Sequence, residues 1–393
     1  MRGPAPDSPG SRAERHVLAN IVDDWQALAI DEHQRLVAGD RPHDALHLAA
    51  RALERLHREF GAPPAVLGWL ELLEADLAAA SGNAADVEAQ IFHAGLAVLG
   101  RCPRHPALPL WHARALAALT HGGLEPEDAL AAARFAFEYA IRAGNFPQAR
   151  DIVALARPSL VDSAPDVRRA WLEAEALEAW LSCDFARARA AVRQSLADGG
   201  GYAAWEQGAS AALAEGDRTL AAQCLSAMTR TIDARRTQDV AHMQFLRGVH
   251  ARLDGDDVDA ANHLADCLAQ DRSNVPDFFT TLWQLGDAHL AVARGRTRAA
   301  ARVLAVVLAR ASTHYWSFLR FSALLSRTWL RIRQRRAAEA FDDLARALAL
   351  ARSGGYRTCD PWWDAQAIDE IASFARTGQH DAPALRQLVS HRA

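Results

Sequence analysis

Small and aliphatic side chains recur in a fixed order along the chain, after a series of residues that each mark a predicted turn between two helices. These turn residues are 39, 33, 39, 40 and 40 positions apart: Gly144, Cys183, Gly216, Gly255, Gly295 and Arg335. Five positions after them stand Ala149, Ala188, Ala221, Ala260, Ala300 and Ala340, and nine positions after them stand Val153, Val192, Leu225, Leu264, Leu304 and Leu344. A period near 40 therefore organises this part of the sequence.

The spacing predicts pairs of antiparallel helices. A small residue after the turn lets the second helix of a pair approach the first, and the aliphatic residue lies one turn further along the same face. Asp184, Asp217 and Asp256 directly follow their turn residues, where a carboxylate caps the free N–H groups of the second helix and complements its dipole. The sequence therefore specifies these turns well.

Helix pairs of this kind cannot bury their apolar faces alone, so neighbouring pairs stack. The order of small and aliphatic residues is that of the second helix in a tetratricopeptide unit, which usually has about 34 residues. We predict an all-α fold, a right-handed superhelical solenoid of antiparallel helix pairs that is tetratricopeptide-like with a period of about 40. The longer period implies longer helices and a wider groove, whose concave wall of first helices is the predicted binding surface.

The first third of the chain follows a different register. Asp40, Gly82 and Gly123 are 42 and 41 residues apart, but Gly144 follows after only 21. Three prolines interrupt the helical pattern before that step: Pro103, Pro106 and Pro109. We expect a joint over residues 101–123, N-terminal helical repeats over 16–123, and C-terminal tetratricopeptide-like repeats with terminal capping helices over 124–393, in one continuous solenoid. The Pro-, Gly- and Ser-rich residues 1–15 are expected to form a disordered tail.

The composition excludes two kinds of chemistry. Alanine and leucine dominate the hydrophobic residues, and aromatic residues make up only 7% of the chain, which favours helix over sheet. All 44 basic residues are arginine, and lysine does not occur. A Schiff-base nucleophile and a phosphate-binding P-loop both need a lysine ammonium group, so neither is available here.

The charge and cysteine patterns bear on partners and location. The formal net charge is −4, and arginines alternate with acidic residues instead of forming blocks. We therefore predict no direct binding to nucleic acid or to a membrane. The five cysteines form no Cys-x-x-Cys pair, which is typical of buried thiols in a reducing cytoplasm. No apolar run has the length of a membrane span and no signal peptide precedes the repeats, so a cytoplasmic protein is expected, with the oligomeric state left open.

The end of the chain carries more distinctive residues. The last repeat, Ala337-Ala338-Glu339-Ala340-Phe341 through Ala347-Leu348-Ala349-Leu350-Ala351, is followed by Gly355-Tyr356, the pair Trp362-Trp363 and a closing Leu385-Arg386-Gln387-Leu388-Val389. From Pro126 to Ala393 the chain resembles the tetratricopeptide-like helical-repeat sensor region of maltose-regulator-type and other LuxR-class transcriptional activators, which belong to the STAND signalling ATPases. The resemblance implies a sensor or adaptor in bacterial signalling.

The chain departs from that family in two modules. It has neither the P-loop lysine nor the Gly-rich phosphate loop of the family's nucleotide-binding module. It also ends where those regulators continue into a DNA-binding domain. We therefore expect neither ATP hydrolysis nor DNA binding from this chain.

Aromatic residues are concentrated in the last 116 residues, from Phe278 onward. The position six before each turn residue is expected to face the groove, and it holds Glu138, Leu177, Ser210, Val249, His289 and Trp329. Aromatic rings beside His and Arg side chains can bind a sugar, a nucleotide-like ligand or a peptide by stacking and hydrogen bonding. The candidate groove residues are Trp283, His289, Trp316, Arg320, Trp329, Arg333, Trp362 and Trp363. The alternative is that the aromatic residues fill the core or cap the solenoid.

Metal and catalytic patterns are weak. His33, His43, His47 and His57 form one group and Cys102, His105 and His112 another, but neither has the ligand pattern of a zinc site. No Gly-x-Ser-x-Gly motif occurs, and no cysteine has a patterned histidine partner. No catalytic residue, metal or cofactor is predicted. A metal hydrolase built on the first histidine group is a third possibility that would need bound metal.

The sequence therefore predicts a non-catalytic binding module of bacterial signalling or regulation, which binds a protein segment or a small ligand in its concave groove. The alternative is a structural scaffold or chaperone-like adaptor in a multiprotein complex. A deep aromatic and charged pocket near Trp329 would favour the first function, whereas a long shallow apolar face would favour the second.

Overall fold

The computed structural model describes residues 25–58, 63–79, 84–122, 124–161, 163–270, 277–314, 316–356 and 365–377. Several residues named in the sequence predictions lie outside these ranges: the tail 1–15, Gly82, Gly123, Trp362, Trp363 and the segment from Leu385 to Val389.

Every regular element in the described residues is helical, and no β-strand occurs among them. Helix α1 covers residues 25–38. The following helices are α2 (Pro42–Arg58), α3 (Pro63–Ala79), α4 (Ala84–Arg101), α5 (Leu108–His121), α6 (Pro126–Ala143), α7 (Phe146–Ala156), α8 (Pro165–Leu181), α9 (Phe185–Ala197), α10 (Tyr202–Glu215), α11 (Arg218–Thr231), α12 (Thr237–Leu253), α13 (Asp257–Ala269), α14 (Asp277–Ala293), α15 (Thr297–Thr313), α16 (Ser317–Arg333), α17 (Ala337–Gly354) and α18 (Ala365–Thr377). The all-α prediction is confirmed. None of the described helices combines the length and the apolar character that crossing a membrane requires.

The chain divides into two compact units, one up to Cys102 and one from Pro103. In the first unit α2 packs against both α3 and α4, and Leu53, Trp69 and Phe92 are buried. His33 and Asp76 form a buried pair, with 2.7 Å between Nε2 and Oδ2. The boundary at residue 123 and a continuous solenoid stay predictions.

The helical pattern breaks between α4 and α5, where the stretch from residue 102 to 107 contains Pro103 and Pro106. The expectation that Pro109 also interrupts a helix is wrong. It lies in the first turn of α5, where the missing N–H would have had no partner within the helix.

All six predicted turn residues have a left-handed backbone. Their φ angles are 76° at Gly144, 60° at Cys183, 88° at Gly216, 85° at Gly255, 69° at Gly295 and 59° at Arg335. In the first unit Asp40 has the same conformation, with a φ angle of 54°. The left-handed region is unfavourable for residues with a Cβ atom, so the fold imposes this geometry at Cys183, Arg335 and Asp40.

The alanines and aliphatic residues of the repeat lie in the core. The six alanines that follow the turns are completely buried, and the six aliphatic residues nine positions after the turns are buried as well. Each predicted aspartate also caps its helix, because the side chains of Asp184, Asp217 and Asp256 accept backbone hydrogen bonds at the starts of α9, α11 and α13. Asn145 does the same for α7. The predicted helix pairs are therefore confirmed.

In the second unit the pairs are α6 with α7, α8 with α9, and so on to α16 with α17. The first helices of neighbouring pairs contact one another, whereas contacts between their second helices are sparse. The first helices therefore line the inner side of this unit and the second helices its outer side. The terminal helix α18 packs against α16.

The second unit closes on itself, because α6 also contacts α16. The Phe146 ring lies 5.3 Å from that of Phe318 and 4.9 Å from that of Tyr356. The Tyr356 ring lies 5.0 Å from that of Phe321. We call this contact, formed by Gly144, Phe146, Phe318, Phe321 and Tyr356, the seam. It joins the first helix pair of the series to the sixth.

Candidate functional site

At two inner positions of the first helices, the described side chains are more accessible in the first half of the series than in the second. At the position six before the turn, Glu138 and Leu177 are half-buried, whereas Ser210, Val249, His289 and Trp329 are buried. At the position ten before the turn, Arg134, Glu173 and Glu206 are half-buried, whereas Phe245, Leu285 and Leu325 are buried. The expected wide groove is therefore wrong for the last three pairs.

Close packing explains this difference along the wall. Gly286 of α14 lies against the Phe245 ring of α12, so that a Cβ atom on Gly286 would be 2.7 Å from Cε2 of Phe245. Apolar side chains at the inner positions of α12, α14 and α16 thus fill the space that a ligand would need. The polar side chains of α6, α8 and α10 leave part of the wall accessible.

Trp283 and Trp316, two of the predicted groove residues, lie in the core. The indole of Trp283 is completely buried and donates from Nε1 to Nδ1 of His242 at 3.2 Å. The Trp316 ring is 2% exposed and stacks on His314 at 4.5 Å. Neither indole reaches a surface, which corresponds to the alternative of core packing.

The structure brings together three other predicted residues, His289, Trp329 and Arg333. The rings of His289 and Trp329 are in tilted contact with their centres 4.8 Å apart, and the Arg333 guanidinium lies 4.5 Å from the centre of the Trp329 ring. Glu370 of α18 accepts hydrogen bonds from Trp329 Nε1 at 2.7 Å and from Arg333 Nη2 at 3.0 Å. This cluster attaches α18 to α16.

Burial of His289 and hydrogen bonds from Arg333 to a neighbouring helix define the role of this cluster. His289 is completely buried, and desolvation, followed by the charges of Arg252 and Arg333, holds its pKa well below the usual value. Arg333 also donates from Nη1 to the carbonyl oxygens of Val292 and Ala293 at 3.2 and 3.0 Å, at the end of α14. The cluster therefore supports helix packing.

Arg320 lies in the first turn of α16 and is half-buried. Trp362 and Trp363 lie outside the described residues. A ligand-binding role for these three residues stays a prediction.

Five charged residues occupy the accessible half of the inner wall: Arg134, Glu138, Arg142, Glu173 and Glu206. We call them the inner-wall cluster. Glu138 lies between two arginines of its own helix, 3.3 Å from Arg134 Nη2 and 3.9 Å from Arg142 Nε. The Arg134 guanidinium also donates to the carbonyl oxygen of Ala170 in α8. Both arginines thus lie near Glu138 of α6, and Arg134 also has a hydrogen-bond partner on α8. The other two members of the cluster, Glu173 and Glu206, lie on α8 and α10.

The carboxyl groups of Glu173 on α8 and Glu206 on α10 have raised pKa values. Burial, together with the charges of Asp239 and Glu173, raises the pKa of Glu206 to about 8. Burial also raises the pKa of Glu173, although Arg134 and Ser195 partly offset this. Both pKa values rise because the protein supplies too little positive charge or hydrogen bonding to offset the burial of the ionised group.

A second layer of polar groups lies next to Glu206. The Tyr202 hydroxyl donates to the backbone oxygen of Asp239 at 2.7 Å, and the Asp239 carboxylate lies 2.8 Å from Nε of Arg236. His242 Nε2 lies 3.5 Å from Glu206 Oε1. Burial lowers the pKa of His242 to about 4, so this contact joins two largely neutral groups near pH 7.

The sequence contained a signal for this cluster that the groove assignment missed. Ten positions before the turn, the first three pairs carry Arg134, Glu173 and Glu206, and the last three carry Phe245, Leu285 and Leu325. A change from charged to apolar residues at one repeat position indicates a wall that is polar in one half and packed in the other.

The two histidine groups considered as metal sites do not form one in the described part of the chain, where no three His, Cys, Asp or Glu side chains converge. His33 instead contacts Asp76, as described above. His112 is buried against the Tyr139 ring at 4.3 Å, and this burial lowers its pKa to about 4.

Among solved structures, the chain is similar to a crystal structure of a Rap protein complexed with Competence and Sporulation Factor. The TM-score is 0.61, with 13% sequence identity over 88% of this chain and 98% of the other. A circular tandem repeat protein with novel repeat topology and enhanced subunit contact surfaces matches with 15% identity over 97% of this chain and 89% of the other, but its TM-score of 0.16 supports no shared architecture. No protein-family model matches the chain, and no curated protein matches it.

At 13% identity, the likeness to the Rap protein shows the fold alone. It supports the helical-repeat part of the resemblance drawn from the sequence. The more specific resemblance to the sensor region of LuxR-class activators stays a prediction.

Proposed function

We propose that the protein is a non-catalytic binding module that takes up a polypeptide segment on the inner-wall cluster, and that it serves in bacterial signalling or regulation. The observation that carries this proposal is the half-polar inner wall. Among the described residues ten positions before the turn, α6, α8 and α10 carry partly accessible charged side chains, whereas α12, α14 and α16 carry buried apolar ones.

The electrostatics of the cluster favour a ligand that donates hydrogen bonds. Keeping the Glu173 and Glu206 carboxyl groups in a partly desolvated wall costs stability, because burial disfavours their ionised forms. A segment that presents amide hydrogens or a basic group would compensate for that cost. Residues that cost stability and serve no packing role are often kept for function.

The likeness to the Rap protein supports the same proposal from the fold. That protein is complexed with Competence and Sporulation Factor, so an all-helical chain of this architecture is able to hold a ligand. Trp283, Trp316 and Trp329 are not needed for this role, because they are buried in helix packing and Trp329 contacts α18.

A peptide selection tests the proposal. The full-length protein is presented to a random peptide library, and the affinities of enriched peptides are measured by calorimetry for wild type and for the double variant Glu173→Gln and Glu206→Gln. The double variant removes the two carboxyl groups whose ionised forms a hydrogen-bond-donating segment would stabilise, so binding should weaken by about tenfold or more. Glu339→Gln, on the outer helix α17, is the control and should keep full affinity.

Two outcomes would count against the proposal. One is a selection that enriches no peptide above the level seen with a non-specific protein surface. The other is a set of peptides whose affinity is the same for wild type and the double variant, which would place binding elsewhere and favour a scaffold that uses its outer face.

A further inference from the structure

The outer side of the second unit contains two adjoining cavities: one is lined by α11 and the end of α12, and the other by α11, α12 and α13. Their volumes are about 650 and 800 Å³, and both are open to solvent. They share Ser226, Arg230, His250 and Asp254 in their walls. Cavities of this size fall within the usual range of ligand sites, and the inner-wall cluster contributes no residue to them.

Two arginines in these walls are held by hydroxyl groups. Arg230 donates from Nη1 to Oγ of Ser226 at 2.9 Å, within α11. Arg247 of α12 donates from Nη2 to Oγ1 of Thr229 at 2.7 Å. Thr229 in turn donates to the carbonyl oxygen of Leu225 at 2.9 Å, so its oxygen is oriented to accept from Arg247. The hydroxyls position both guanidinium groups without neutralising them.

The carboxylates of the same walls are already occupied by other groups. Asp254 lies 3.4 Å from Nη1 of Arg218 and 3.3 Å from Nδ1 of His250. Asp256 accepts the backbone N–H groups of Val258 and Asp259 as the cap of α13. Asp259 lies 3.4 Å from Nε2 of His263. None of the three forms an ion pair with Arg230 or Arg247.

Some arginines on the helix pairs are paired with carboxylates. Arg168 donates to Asp198 at 2.7 Å, and Arg327 donates to Asp343 with two bonds of 2.6 Å. Arg230 and Arg247 are bonded to hydroxyl groups instead, as Arg376 is to Ser373. Both arginines line the same cavity, and in the part of the chain that the structure describes neither of them is paired with an acid. Two such cations beside a cavity attract an anion, and the guanidinium fork suits a phosphate or a carboxylate.

We propose that the outer cavity between α11 and α13 is a second binding site, which takes an anionic group, phosphoryl or carboxylate, on Arg230 and Arg247. Ser226 supplies a further hydrogen bond to the same group from its hydroxyl, Thr229 holds Arg247 in place, and the apolar side chains of Ala222 and Leu225 accommodate the part of the ligand that carries it. The site is separate from the peptide site proposed for the inner wall.

The test uses the full-length protein and three probes: inorganic phosphate, a phosphoserine peptide and a glutamate peptide of the same sequence. Affinities are measured by calorimetry at low ionic strength for wild type, for the double variant Arg230→Gln and Arg247→Gln, and for Arg189→Gln. Arg189 is a matched control because it pairs with Glu215 outside the cavities. We expect saturable binding of at least one probe by wild type, weakened about tenfold or more in the double variant and unchanged in Arg189→Gln.

The pattern among the probes identifies the ligand chemistry. Binding of both the phosphoserine peptide and inorganic phosphate assigns a phosphoryl group, whereas preference for the glutamate peptide assigns a carboxylate. The proposal is overturned if no probe binds saturably, or if Arg189→Gln weakens binding as much as the double variant does. Unfolding midpoints check that the variants fold, and Arg230→Gln alone replaces the double variant if its midpoint falls, since the Arg230 side chain is exposed.

Discussion

The hydroxyl of Tyr356 occupies the space directly beside the Cα atom of Gly144, although the two residues belong to opposite ends of the repeat series. A Cβ atom at Gly144 would overlap that hydroxyl and would lie 2.9 Å from the Cβ atom of Ser317. A Cβ atom at Gly354 would likewise overlap the carbonyl oxygen of Gly144. The first and sixth helix pairs thus meet at backbone distance, and the seam depends on glycine for this approach.

We expect Gly144→Ala to destabilise the protein more than Gly255→Ala. Both glycines have left-handed backbones, which costs an alanine about 1–2 kcal/mol. The Cβ atom overlaps Tyr356 only at Gly144, since nothing lies within 4 Å of it at Gly255. Overpacking should add about 1–3 kcal/mol at Gly144. Urea unfolding of both variants measures the difference in the free energy of unfolding. Equal losses of stability would show that the seam accommodates the added methyl group without an energetic penalty.

Tyr356→Ala should loosen the seam. The Tyr356 ring is buried against Phe146, Phe318 and Phe321, so its removal leaves a cavity that costs about 3 kcal/mol or more. Hydrogen exchange should become faster at the end of α6 and the start of α16, and stay unchanged in the middle of α12. Tyr356→Phe keeps the rings in contact and serves as the control. Uniformly faster exchange in all helices would instead indicate that the whole unit opens together.

The repeat geometry was predictable because it is local. A left-handed turn residue, a small residue five positions later and an aliphatic residue nine positions later are dictated by the packing of two consecutive helices. This rule held even where the turn residue is Cys183 or Arg335, both with positive φ angles. At these two positions the periodicity alone predicts the turn, because neither residue type favours a positive φ angle.

The seam and the filling of the inner wall could not be predicted in the same way. Each depends on the small rotation between successive pairs, which accumulates over six pairs and brings Phe146 against Phe318 and Tyr356. No local pattern encodes that rotation. Three of the aromatic groove candidates, Trp283, Trp316 and Trp329, therefore lie in the core, which is the alternative that the sequence leaves open.

Trp329→Ala should lower the stability of the protein strongly. The indole is 1% exposed, packs against the His289 ring and donates to Glu370, so truncation leaves a cavity and removes a hydrogen bond. The expected cost is about 3–5 kcal/mol, measured by urea unfolding. Trp329→Phe keeps most of the packing and should lose about 1–3 kcal/mol, since the Glu370 carboxylate loses its indole donor. A weaker affinity for ligand with an unchanged unfolding midpoint would show instead that Trp329 lines the groove.

The stability of the protein should fall between pH 6.5 and 8, and Glu206 should be responsible. Its folded pKa of about 8 exceeds the ordinary value of 4.5, so the native state holds a proton that the unfolded chain releases. The resulting stabilisation is fully present below pH 4.5 and is lost as the pH rises through 8, at a limiting slope of about 1.4 kcal/mol per pH unit. Asp239, whose pKa burial raises to about 6, acts in the same direction but mainly below pH 6.

Above pH 6.5 the change in stability comes from Glu206 and not from the buried histidines. The lowered pKa values of His242 and His289 make stability fall as the pH drops below 6.5, which is the opposite direction. Urea unfolding of wild type at pH 6.5 and pH 8 should therefore show a loss of about 1–2 kcal/mol. Glu206→Gln carries no titrating group at this position and should show a much smaller loss. Asp233→Asn is the control, because hydrogen bonds from Arg235 lower the pKa of Asp233 to about 2 and its contribution changes only in acid. An equal loss in wild type and Glu206→Gln would mean that the Glu206 carboxyl group is ionised in the folded protein, and the argument that the inner wall lacks a hydrogen-bond donor would fail with it.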